Sequence, residues 1–152
     1  MKAEQLLQAW QQDVAKLSSM KYGDNCTELS LPFSTLGNKF VRVFVVELAD
    51  EWLVSDFGDI VDNEYGLEGS GLNPAYDLAT RIMGSEVHPT MQAAGGELFV
   101  RVKSADKLTA AIFDFAQFVQ LCVNTATLLK SPMAPYVRLA MQGLVKLPAV
   151  AS

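Results

Sequence analysis

Four carboxylates fall within nine residues of this chain: Asp56, Asp59, Asp62 and Glu64. Oxygen ligands at such spacing are what hard divalent cations such as Mg²⁺ and Ca²⁺ require. Around Mg²⁺ or Mn²⁺ the four would equip a metal-dependent hydrolase, the ion acting as Lewis acid and activator of water. The spacing departs from an EF-hand loop, because Phe57, Val61 and Tyr65 interrupt the alternate acidic positions. The same side chains also serve as turn and cap groups. Asp56, two residues before Gly58, suits a carboxylate folded back onto turn amides, with Gly58 supplying a positive φ.

Other catalytic chemistry finds little support. His88 is the single histidine, so any Ser-His-Asp or Cys-His scheme runs through it. Its setting, His88-Pro89, reads as the start of a loop, and no nucleophile elbow lies near it. Gly66, Gly69 and Gly71 precede no basic residue, and their acidic surroundings repel phosphate. Asp56-Phe57-Gly58 spells the magnesium-binding tripeptide of protein kinases, but the chain lacks the Gly-rich loop, the Val-Ala-Ile-Lys strand and the His-Arg-Asp loop. Cys26 and Cys122 stand far apart without Cys-x-x-Cys spacing, so both are expected as buried free thiols in a reducing cytoplasm. No cofactor is expected, and a non-catalytic role is favoured.

Charge points the same way. The net charge is −5, yet no Lys or Arg occurs between Arg42 and Arg81. Glu47, Asp50, Glu51, Asp56, Asp59, Asp62, Glu64, Glu68 and Asp77 all fall there, giving that window −9 and the remainder +4. A nucleic-acid footprint would be a basic stripe, so direct DNA or RNA binding is not expected. A protein partner with a basic patch suits the window better.

These groups need a scaffold, and the composition supplies one. With 152 residues, half of them hydrophobic, the chain can bury enough apolar surface to fold as a single domain over 1–152. No membrane span and no signal peptide are expected.

Ala3, Leu6, Leu7, Trp10, Val14 and Leu17 share one face of a helix over about 3–19. Leu29, Leu31 and Phe33 alternate with polar residues as a strand, with Pro32 marking its end or a sheet edge. Phe40 to Leu48 reads as a central strand covered on both sides, followed by a hairpin to Trp52–Ser55. Residues 60–72 oppose a long helix, whereas Asn73-Pro74 starts one that runs to Gly84. A weak strand around Met91, Gly95-Gly96 and Leu98–Val102 form a second hairpin. Ser104 then caps a long amphipathic helix of about 25 residues, and Pro132 and Pro135 introduce a last one near 135–145. This order predicts an α+β fold: a mostly antiparallel sheet of about five strands with helices packed on it.

Trp52-Leu53-Val54-Ser55-Asp56-Phe57-Gly58-Asp59, continuing to Leu67-Glu68-Gly69-Ser70-Gly71-Leu72, resembles the bacterial and phage family called domain of unknown function eighteen-twenty-eight. The likeness covers about residues 5–130 and leaves the C-terminal helix unmatched. It implies a phage or mobile-element setting and an accessory role, with no catalytic residues to carry over.

The expectation is therefore an interaction or regulatory protein whose acidic surface docks on a basic partner, such as a host nucleic-acid enzyme that it inhibits. Asp50, Glu51, Asp59, Asp62, Glu64 and Glu68 are the candidate partner-binding residues. Phe113, Phe118 and Leu121 widen the apolar surface of helix 105–129, which predicts cover from the C-terminal helix or a homodimer through that helix.

Overall fold

The computed structural model describes residues 2–60, 72–83, 90–92 and 97–146. In chain order they form α1 (Ala3–Leu17), β1 (Ser19–Tyr22), β2 (Cys26–Ser34), β3 (Phe40–Glu47), β4 (Trp52–Ser55), α2 (Leu72–Met83), β5 (Thr90–Gln92), β6 (Glu97–Val102), a 3-10 turn (Ala105–Lys107), α3 (Leu108–Leu129) and α4 (Ala134–Lys146). The six strands make one antiparallel sheet in the order β1-β2-β3-β4-β6-β5. The α+β architecture matches the sequence expectation, with β1 as an additional strand.

Alternation sets the two faces of the sheet. Leu31, Val41, Val43, Val54, Leu98 and Val102 point to one side and join Phe115, Val119, Cys122 and Val123 of α3 in a single core. Gln120 Nε2 donates to Ser34 O at 2.8 Å, and Asn124 Oδ1 accepts from Leu36 N–H at 2.8 Å. These two bonds fix how α3 lies along the β2–β3 turn, where Asn38 takes φ 60°. A helix caught between layers must be apolar on several sides, and α3 is. Phe118 is fully buried and meets Tyr76 of α2 edge-on at 5.6 Å. Ala105–Leu129 is long and apolar enough to cross a membrane, although no such run was expected; here its buried side is the spine of the core.

Four local expectations change. Arg42 and Phe44 are half-buried while Val41 and Val43 are fully buried, so β3 is not closed on both sides. β2 lies inside the sheet, and its register shifts between Ser30 and Ser34, a bulge that accommodates Pro32 without a ladder donor. Ser104 stands at the cap position, but its hydroxyl donates to the Asp106 carboxylate, and a 3-10 turn precedes α3. The first helix stops at Leu17, two residues short of its expected end, and the chain enters β1 at Ser19.

Candidate functional site

Asp56 is fully buried at the end of β4. Its Oδ1 accepts the N–H groups of Gly58 and Leu98, each at 2.9 Å, and its Oδ2 accepts that of Ile60 at 3.4 Å. Burial pushes its pKa upward, the three backbone donors pull it back, and the charge of Glu97 adds to the rise. The turn it clamps holds both Phe57 and Gly58 in the left-handed region, at φ 51° and 77°, and closes with Asp59 N–H donating to Asp56 O at 3.0 Å. Gly58 accepts this conformation freely, but Phe57 is strained by it. Ser55 Oγ accepts from Phe57 N–H at 2.9 Å while donating to Glu97 Oε1. The Phe57 ring stacks on Phe44 at 4.6 Å. Asp56 is thus a turn clamp.

The remaining candidates disperse. Asp59 is buried and pairs through Oδ2 with Arg42 at 3.0 Å, and Arg42 also reaches Glu28 at 3.1 Å. Glu51 pairs with Arg101 across the sheet. Asp50 is exposed in the β3–β4 turn. Asp62, Glu64 and Glu68 lie outside the described residues, as does His88. The protein's own arginines therefore engage two of the three described carboxylates expected to face a partner. As metal ligands, Asp56 and Asp59 are turned to different partners, backbone amides for one and a guanidinium for the other. Among the described residues no three acidic, Cys or His side chains gather.

The thiols are similarly passive. Burial raises the Cys122 pKa to about 12, with the charge of Asp56 adding, and burial then Glu28 raise that of half-buried Cys26. A nucleophilic cysteine needs the opposite shift.

What the sequence did not single out is an open groove of about 500 Å³ where the β1–β2 end of the sheet meets the start of α3. Met20, Leu29, Val45, Trp52, Leu108 and Ile112 give it apolar walls. Asp24 and Glu47, both exposed, stand on its rim, and its lining holds neither Lys nor Arg. Two hairpins position these carboxylates. Gly23 N–H donates to Cys26 O at 2.7 Å in the first, which carries Asp24 at its tip. Glu47 N–H donates to Asn25 O at 2.8 Å, tying the second hairpin, with Asp50 at its own tip, to the first. Its volume lies in the usual range of ligand-binding clefts. Glu47 belongs to the acidic window, but nothing in the sequence shows that Asp24 folds beside it.

No known family, curated protein or solved structure matches the chain. The resemblance to domain of unknown function eighteen-twenty-eight accordingly rests on the turn motif and element order alone.

Proposed function

We propose that this chain is a non-catalytic interaction protein that seats an apolar segment flanked by Lys or Arg, presented by a protein partner, in the groove between β1–β2 and α3. The observation that carries the reading is the pairing of apolar walls with a rim of Asp24 and Glu47. Apolar walls supply affinity, whereas like-signed rim charges select the sign of the partner and speed encounter. Asp50, exposed on the neighbouring hairpin, extends the same field. Proteins that handle nucleic acid carry basic-apolar segments of this kind, so inhibition of a nucleic-acid enzyme, in a phage or mobile-element setting, falls within this reading. The thiols, held away from the thiolate, and Asp56, committed to backbone amides, favour it over hydrolysis.

The test is calorimetric titration of the full chain with two synthetic helical peptides of equal apolar content, one bearing Lys and the other Glu. Saturable binding of the Lys peptide alone is expected, weakening as salt rises. In Asp24→Lys/Glu47→Lys the affinity should fall at least about tenfold, with a flatter salt dependence. Equal binding of both peptides, or of neither, overturns the proposal.

A further inference from the structure

In α1, Leu6, Leu7, Trp10 and Leu17 are 60%, 52%, 60% and 68% exposed, and no residue of the helix is buried. Leu7, Trp10, Val14 and Leu17 follow one another at intervals of three, four and three residues. That is the 3.5-residue period of a coiled-coil seam, whose natural cover is another helix with the same period. We infer that α1 pairs with α1 of a second copy about a two-fold axis, the two helices antiparallel, with Leu7 opposite Leu17 and Trp10 opposite Val14.

Three observations select this occupant. The four exposed side chains present roughly 500 Å² of apolar surface per copy, so a two-fold pair buries about 1,000 Å², the size at which specific association begins. A stripe of this size stands at the upper end of the largest apolar patch on a typical monomer, where such patches are often functional. Charge permits self-approach here: the chain carries −5, but Lys2 and Lys16 balance Glu4 and Asp13 in this segment. A lipid surface fits less well, because helices that lie on membranes carry a basic polar face, whereas α1 carries Gln5, Gln8, Gln11 and Gln12. The stripe shares no residue with the groove, so pairing does not depend on the proposed peptide binding.

Sedimentation equilibrium of the full chain between about 1 and 300 μM tests the pairing. The mass should rise from 16.6 kDa toward twice that value, and Leu7→Glu and Trp10→Glu, made singly, should each hold it at 16.6 kDa. Neither side chain is buried, so both variants keep the fold, which circular dichroism verifies. Leu139→Glu on α4 and Phe113→Glu on α3 probe other exposed apolar positions and should leave the dimer intact. A wild-type chain that stays at 16.6 kDa overturns the inference. So does a dimer that survives both α1 changes or dissolves only with Leu139→Glu or Phe113→Glu.

Discussion

The Asp56 carboxylate accepts the backbone N–H of Leu98, 42 residues further along the chain, at 2.9 Å. One oxygen thereby joins the end of β4 to the start of β6, while the other closes the local turn onto Ile60. Asp56→Ala leaves three backbone donors of a buried turn without their acceptor and should cost about 3 kcal/mol. Asp56→Asn keeps one acceptor for Gly58 and Leu98 and should cost about 1 kcal/mol at neutral pH. The pH dependence has a definite sign. A carboxyl held above its ordinary value of 3.8 binds its proton more tightly folded than unfolded. Wild-type stability from this group therefore declines as pH rises from about 4 through the folded pKa. Urea unfolding of both chains at pH 4 and pH 7 should show the gap between wild type and Asp56→Asn narrowing at the higher pH. A widening gap would mean that the carboxylate is stabilised in its charged form.

At Phe57 two effects of similar size oppose each other. A left-handed φ costs a non-glycine residue roughly 1 kcal/mol or more, and the stack on Phe44 returns about as much. Phe57→Gly releases the strain and loses the stack, so stability should change by less than about 1 kcal/mol. Phe57→Ala loses the stack and keeps the strain, and should be the less stable of the two. Melting temperatures ranking alanine above glycine would refute this account.

Arg42 spans Glu28 and Asp59, and the Asp59 side chain is only 9% exposed. Arg42→Met removes the guanidinium beside a mostly buried carboxylate and should destabilise by about 2 kcal/mol, discounted for the part-exposed guanidinium. Adding Asp59→Asn removes the buried charge and should recover at least half of that loss. Additive effects in this double-mutant cycle would show that the pair is not coupled.

These cases show what the sequence exposes and what it conceals. The turn chemistry of Asp56 and Gly58 is local, and residue types over three positions are enough to predict it. The stripe of α1 and the apolar breadth of α3 are likewise periodic and legible. The pairing of Asp59 with Arg42 joins residues that only the adjacent β-ladder brings together, so reading the acidic window as a free surface could not anticipate it. β1 was hidden because Ser18-Ser19-Met20 continues a helical stripe as readily as it starts an alternating strand. The groove draws on Met20, Val45, Trp52 and Ile112, whose meeting depends on where α3 crosses the sheet.

Cys26 offers a direct reading of exposure on the opposite face of the sheet. It is half-buried on the face of β2 that carries Glu28, away from the groove wall formed by Leu29 and Val45, whereas Cys122 is fully buried in the core beneath α2, its Sγ 3.9 Å from Ala75 O. Both thiols are shifted upward, so alkylation by iodoacetamide at pH 8 should be slow, but Cys26 should react in the native protein while Cys122 waits for unfolding. Mass spectrometry should therefore find one adduct under native conditions and two in denaturant, and Cys26→Ser should abolish the first. An excess of the Lys-bearing peptide should leave the native rate unchanged, because Leu29 and Trp52 line the other face of the sheet. Native labelling at Cys122, or labelling of Cys26 slowed by saturating peptide, would refute this assignment of faces.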